Sequence, residues 1–424
     1  MGINMQYTKV EDLGDLISGE SSIVTAMAAA EPQLFFRHVS KHPEYFTQGK
    51  TLYCANPSQA YGCFTEPDFD NLQVVMMFLT SVVRKHSGKR LQYFPHHLSQ
   101  WARHLSSRGV GIFWGSCSLP DERGFVSLGP SCCYESEILA KAQHVVLEVN
   151  PNIPMTFGST VVPVSDVDFF IESDAALPAI HKAVSQDIDR TIASFIADLV
   201  PDEATLQLGI GSIPNAIGEA LEGKRNLGIH TEMVNDTMME LYQKGIVTGK
   251  CKTKWPSRIV GSFIFGTQKL YDFAHRNPII ELHPASVVND PYRLGKNHRM
   301  ISINTAVEID LTGQVCSESV GHRELSGVGG ASETHIGAQR SPGGRGIVAL
   351  HSVTKDGQSK INVELKPGAK VSISRNDLDT VVTEYGVAHL KGHTVRERCL
   401  ALISIAHPDF REQLREDGRR LGYI

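Results

Sequence analysis

Three stretches carry residue types that could do chemistry at a spacing that would bring them together. Leu206-Gln-Leu-Gly-Ile-Gly-Ser-Ile-Pro-Asn-Ala-Ile217 reads as a strand ending in a glycine turn, Gly209 to Gly211, that opens onto a helix with Pro214 near its start. Such a turn at a helix N-terminus suits phosphate or another anion; without the third glycine of a dinucleotide fingerprint, it is equally a tight strand-to-helix connection. Leu227-Gly-Ile-His-Thr-Glu-Met233 reads as the next strand and ends in a lone carboxylate, Glu232. Alone, a strand-end glutamate is more often a charge partner for a helix N-terminus. Beside the glycine turn and poorly solvated, it is a candidate nucleophile. Ser326-Gly-Val-Gly-Gly330 is a second glycine loop whose successive N–H groups could form an anion nest or oxyanion hole; its other reading is a flexible connector. Val288-Asn-Asp-Pro291 offers an amide donor, Asn289, and Val381-Val-Thr-Glu-Tyr-Gly386 places Glu384 at another strand end. Together these point to an enzyme handling an acyl group on a phosphate-bearing carrier.

The elements that must position these residues are strands alternating with helices. In the first half, Ser22 to Ala26, Arg90 to Phe94, Gly109 to Trp114, Phe125 to Leu128 and His144 to Val149 read as strands, the last an apolar run typical of a buried parallel strand. Residues from about 170 to 190 read as a junction. After it come strands at Thr205 to Leu208, Asn226 to His230, Arg258 to Phe265 and Arg345 to Leu350, and helices at Asp187 to Leu199, Pro214 to Leu221, Asp236 to Lys244 and Thr267 to His275. The alternation predicts a mostly parallel sheet in an α/β fold. Turns at Thr312-Gly313 and Asp356-Gly357 add antiparallel pieces, and a helical C-terminus is broken at Pro408.

Bulk properties narrow the function. At 424 residues and about 150 residues per domain, two or three domains are expected; the boundary is placed between residues 1–185 and 186–424. A net charge of −5 gives no basic excess for nucleic acid or anionic membranes. The first residues lack a basic, apolar leader and no apolar run is long enough to span a bilayer, so a cytoplasmic protein is expected. The eight cysteines form no CxxC pair and are expected reduced. The HExxH, GxxxxGK[ST] and GxSxG motifs are absent from the sequence. Adjacent His96 and His97 would point to opposite faces of a strand, which disfavours a shared metal; no metal site is expected. The basic loop from Arg340 to Arg345 could contact phosphate or simply be solvated.

These segments resemble the acetyl-CoA hydrolase/transferase family, which includes acetate, butyrate and 4-hydroxybutyrate CoA-transferases. The resemblance is carried by LQLGIGSIPNAIGEAL, LGIHTEMVNDTMMELYQKGIVTGK, NPIIELHPASVVNDP, ISINTAVEIDLTGQVCSES, SGVGG and DLDTVVTEYGVAHLKG, and by PHHLS, LPDERGFVSLG and VVLEVNPNIPMTFG earlier. It covers nearly the whole chain. It implies two related open-sheet α/β domains of the CoA-transferase type with the active site at their interface. Glu232 would attack an acyl-CoA thioester, and a glutamyl-CoA thioester would carry the coenzyme to a second acid. Asn289, Gly329 and Gly330 would be oxyanion donors, Glu384 a carboxylate near the catalytic centre, and Gly209, Gly211 and Gly327 part of the coenzyme A crevice. The partners implied are acyl-CoA and small carboxylic acids, with coenzyme A as substrate, no tightly bound cofactor, and a homodimer or homotetramer. The sequence departs from the family pattern twice: Thr80 stands where Phe78-x-Gly-x-x-x-Arg84 has glycine, and Glu333 stands where an aspartate follows the second glycine loop. Both departures leave open a bulkier, hydroxylated or dicarboxylic acid such as succinate or itaconate. An acyl-CoA hydrolase using the same site, and a non-enzymatic coenzyme A sensor, are the alternative readings.

Overall fold

The computed structural model describes every residue except 1–4, 6, 48, 87 and 89. Two open parallel sheets organise the chain. The first has seven parallel strands in the order Phe169–Glu172, His144–Val149, Ile112–Cys117, Ser22–Thr25, Lys50–Cys54, Leu72–Met76, Leu91–Tyr93. Successive side chains of a strand leave on opposite faces, and here both faces are covered. Ile23, Leu52, Val74 and Ile112 belong to one buried cluster, and their neighbours Val24, Tyr53, Val75 and Phe113 to another. That is why these strands read as continuous apolar runs rather than alternating ones.

The second sheet has nine strands in the order Gly386–His389, Thr380–Thr383, Arg345–Ala349, Met300–Thr305, Thr205–Leu208, Gly228–His230, Ile259–Gly261, Ile280–Leu282, Phe157–Gly158. All neighbours run parallel except the Gly386–His389 edge. Its last strand comes from the first half of the chain: Glu281 pairs with Phe157 and Leu282 with Gly158. The helices Asp187–Leu199, Ser212–Ala220, Asp236–Gln243 and Gln268–Ala274 supply apolar side chains to the cluster over this sheet. The expected turns at Thr312-Gly313 and Asp356-Gly357 close antiparallel pairs. The expected strand from Arg258 to Phe265 is two short ones, Ile259–Gly261 and Phe263–Ile264, in different sheets.

The halves share a core. Met233, Phe263 and Ala285 of the second half are buried in the same cluster as Met27, Met77 and Cys133 of the first. Backbone bonds stitch the seam: Cys132 N–H to Ser262 O at 2.8 Å, Ile264 N–H to Pro130 O at 2.6 Å and Ala285 N–H to Cys133 O at 2.8 Å. All eight cysteines are free thiols, seven of them buried. Among the described residues no helix is long and apolar enough to cross a membrane.

Candidate active site

Glu232 sits just beyond the strand Gly228–His230, which pairs directly with Thr205–Leu208 ahead of the glycine turn. The two strand ends therefore open side by side at the carboxyl edge of the sheet, where open α/β sheets bind ligands. The Glu232 backbone is fixed, its carbonyl accepting the N–H groups of Ser262 at 2.8 Å and Phe263 at 3.2 Å.

Its carboxylate is held from one side. Oε2 accepts the Gly330 N–H at 2.8 Å and the Asn289 Nδ2–H at 3.4 Å, whereas Oε1 has no hydrogen-bond partner among the described residues. A Cβ on Gly330 would overlap both Asn289 Nδ2 and Glu232 Oε2, so only glycine lets this amide approach. Gly329 lies alongside at φ +55°. Asn289 is fully buried at the end of the short helix Ala285–Val288, its N–H bonded to Ala285 O at 2.8 Å.

Burial pushes the Glu232 carboxyl up to about 7, with a further push from the Glu333 charge, against the pull of the Gly330 and Asn289 donors. Glu333 is itself buried and raised to about 7 by desolvation. It follows Gly330 by one helical turn in Ala331–Arg340 and accepts the Ser99 N–H and O–H from the first half of the chain.

The remaining expected residues are placed as follows. Gly211 caps the helix Ser212–Ala220 at φ +117°, a backbone that favours glycine. It lies with Met233, Asn235 and Phe265 on a cavity of about 150 Å³. Gly209 donates its N–H to Ile303 O at 2.9 Å. Gly327 packs on the first half: a Cβ there would lie 3.0 Å from Tyr93 Oη and 3.1 Å from Met77 O. Glu384 is not brought to Glu232. Its strand stands four places away in the sheet, roughly 19 Å at the usual strand spacing, and its carboxylate accepts the Ser352 N–H at 2.9 Å and O–H at 2.5 Å. The like charge that acts on Glu232 is Glu333, not Glu384. His96 stacks on His104 at 4.0 Å while His97 Nδ1 lies 3.2 Å from Ser332 Oγ, so the adjacent pair diverges. Among the described residues no group of His, Cys, Asp or Glu forms a metal-binding cluster.

Sequence reasoning gave no role to His230, whose ring is fully buried between Val288 O at 2.9 Å and Asn297 Nδ2 at 3.2 Å. Nor did it single out Lys252, which donates to Ile229 O at 2.7 Å and Arg258 O at 2.8 Å and is drawn down to about 7 by burial. The available signal for His230 was its place inside the strand run two residues before Glu232, where a polar side chain must find buried partners.

The chain belongs to the acetyl-CoA hydrolase/transferase family. The family's N-terminal domain matches residues 5–181 and its C-terminal domain residues 266–418. The chain is 46% identical to the 4-hydroxybutyrate coenzyme A transferase of Clostridium kluyveri over 72% of its own length and 71% of that protein's. It is 40% identical to the succinyl-CoA:cyclohexane-1-carboxylate CoA transferase of Geobacter metallireducens over 85% and 83%. The crystal structure of RipA from Yersinia pestis superposes with a TM-score of 0.93 at 30% identity, covering 99% of this chain and 98% of that one.

Proposed function

We propose that the protein is an acyl-CoA:carboxylate CoA-transferase working by a ping-pong route through a glutamyl-CoA thioester on Glu232. The observation that carries this reading is the one-sided grip on that carboxylate: Oε2 held by Gly330 and Asn289, Oε1 without a partner among the described residues. The unpartnered oxygen attacks the thioester carbonyl carbon. The C–S bond breaks, CoA thiolate leaves, and an acyl-glutamyl anhydride forms. The thiolate then attacks the glutamyl carbonyl and expels the first carboxylate, leaving the coenzyme on Glu232. A second carboxylate attacks that thioester, the thiolate returns to the new acyl carbon, and Glu232 is regenerated. The activation of the thioester is conserved at each exchange, whereas attack by water would dissipate it.

The same two donors serve the middle of the cycle. When the glutamyl carbonyl is the electrophile, the oxygen facing Gly330 and Asn289 is the one that gathers negative charge, and preorganised donors there lower the barrier by a few kcal/mol each. Desolvation supports the role as well, since a carboxylate with little solvation is a stronger nucleophile.

The acid exchanged is small and organic. A cavity of about 360 Å³ is lined by Asn56, Ser58, Gln59 and Thr80 with Val82 and Phe265, and it shares Phe265 with the cavity beside Met233. Among the described residues its own walls carry hydrogen-bonding groups and no arginine or lysine, whereas the adjoining cavity has His181 and Lys182. The polar lining supports an acid with a hydroxylated tail such as 4-hydroxybutyrate, and Lys182 in the adjoining cavity leaves room for a second carboxylate. The enzyme acts as a homodimer or homotetramer.

The test is intact-protein mass after mixing with acetyl-, butyryl- or succinyl-CoA and no acceptor. A CoA-sized adduct that maps to Glu232 and disappears on adding a carboxylic acid is the expected result. Continuous release of free thiol without an adduct or an acceptor would replace the transferase reading with a hydrolase.

A further inference from the structure

The Gly330 donor belongs to the second half of the chain, as does Glu232, yet the loop that carries it is gripped at both ends by the first half. At its start, Gly327 lies against Tyr93 and Met77, and the Tyr93 hydroxyl donates to Glu318 Oε2 at 3.1 Å. Glu318 in turn accepts Leu325 N–H at 2.7 Å through its backbone carbonyl. At its end, Ser99 donates to Glu333, and His97 Nδ1 meets Ser332 Oγ at 3.2 Å.

Glu333 occupies the third position of the helix Ala331–Arg340, whose preceding residue is Gly330. A glutamate there ordinarily reaches back to the N–H that precedes its own helix. Here no side-chain cap forms, and the Ser99 N–H and O–H engage its two oxygens instead. The first turn is closed by Thr334 N–H to Gly330 O at 2.9 Å, so Gly330 and Glu333 move as one rigid turn. A pull on Glu333 is therefore transmitted to the Gly330 N–H, which lies 2.8 Å from Glu232 Oε2.

We propose that Glu333 is a positioning residue: anchored on Ser99 across the seam between the halves, it sets the angle of the first helical turn and so aims the Gly330 N–H at Glu232. This rests on the transferase reading of Glu232. The family resemblance expects aspartate at this position, and the longer side chain here has its own fit to Ser99. Glu333 makes no contact with the reacting atoms; beside the push of its like charge on Glu232, it acts through Gly330.

The experiment compares Glu333→Ala, Glu333→Gln and Ser99→Ala with the wild type by steady-state kinetics, thermal melting and the Glu232 adduct assay. Losing the anchor misaims one preorganised donor, so Glu333→Ala is expected to lower kcat by about tenfold or more with KM for acyl-CoA within about twofold. Glu333→Gln keeps an acceptor for Ser99 and is expected to restore kcat to within about threefold of wild type. Ser99→Ala combined with Glu333→Ala should lose no more than Glu333→Ala alone, because both break the same contact. Wild-type kcat in a folded Glu333→Ala variant, or an equal loss in Glu333→Gln, overturns the proposal. If Glu333→Ala fails to fold, Glu333→Met, which keeps the side-chain length but offers Ser99 no oxygen acceptor, decides: a several-fold fall in kcat at unchanged KM supports it and wild-type kcat overturns it. Absence of both adduct and CoA exchange in the wild type would instead defeat the transferase reading itself.

Discussion

The ring of His230 is bonded to the carbonyl of Val288 at 2.9 Å, so the residue two places before Glu232 holds the residue one place before Asn289. Glu232 and Asn289 lie far apart in sequence, and this buried bond fixes the separation of their backbones. Asn297 Nδ2 donates to the other ring nitrogen at 3.2 Å, which makes the ring neutral with its proton on Nε2.

Replacing His230 by phenylalanine keeps an aromatic ring but leaves the Val288 carbonyl and the Asn297 amide without their His230 partner. A loss of about 2 kcal/mol in stability is expected from denaturant unfolding. Burial holds the His230 ring down at about 3, well below its ordinary value. The unfolded chain therefore binds this proton at a higher pH than the fold does. Stability contributed here is full above about 6.5 and falls as pH drops toward 3. His230→Phe should flatten that acid limb; an unchanged limb would show that other groups govern it.

Removal of Glu232, the proposed nucleophile, is the sharpest test of chemistry. Glu232→Ala should reduce transferase turnover on the order of 10³-fold or more and abolish the CoA adduct. Glu232→Asp retracts the carboxylate by one methylene from the Gly330 and Asn289 donors, and a displacement of that size costs on the order of 10²-fold. Full activity in either variant would move the nucleophile elsewhere.

Adding one methyl at Gly330 tests the donor. Gly330→Ala forces the chain away from Asn289 Nδ2 and Glu232 Oε2. Turnover should drop by about 10²-fold, the usual effect of losing one oxyanion donor. Circular dichroism and melting, run alongside, separate this from misfolding.

The pH profile follows from the Glu232 carboxyl, raised by burial to about 7. Only the ionised form attacks, so the rate of adduct formation should rise with pH and level off above about 7. The stability effect has the opposite sense. The fold holds this proton to a higher pH than the unfolded chain, so stability is full below about 4.5 and declines as pH rises to about 7. Glu232→Gln should raise the melting temperature at pH 8 and leave it unchanged near pH 4, with a stability gain at pH 8 of up to about 3 kcal/mol.

The parallel sheets were legible because their strands are buried on both faces and read as short, largely apolar runs, as in His144–Val149. Several others went unread. Lys50–Cys54 begins with a lysine whose ammonium is buried on the Ser18 and Glu20 carbonyls, a partner set that only the tertiary fold supplies. Met300–Thr305 contains Asn304, a member of a buried polar network with Ser302, Gln207 and Thr334, and such runs look too polar for a central strand. In the site, Glu232, Asn289 and Gly330 come together in the fold. Glu384 was misplaced because a strand-end carboxylate reads alike wherever its strand stands, and strand order is not written in local pattern. The grip of Ser99 on Glu333 was hidden for a related reason: it joins the two halves, and neither segment records the other.

The short strand Phe157–Gly158 has a bearing on how the chain comes to be made. Emerging early in synthesis, it has no sheet to join until Ile280–Leu282 follows, so the first half must wait with this segment unpaired. A fragment starting at residue 186 would leave Ile280–Leu282 with a bare row of backbone donors and acceptors, a template for a neighbouring copy. The two halves are thus interlaced rather than merely docked, and a cut at residue 186 separates a strand from the sheet it completes.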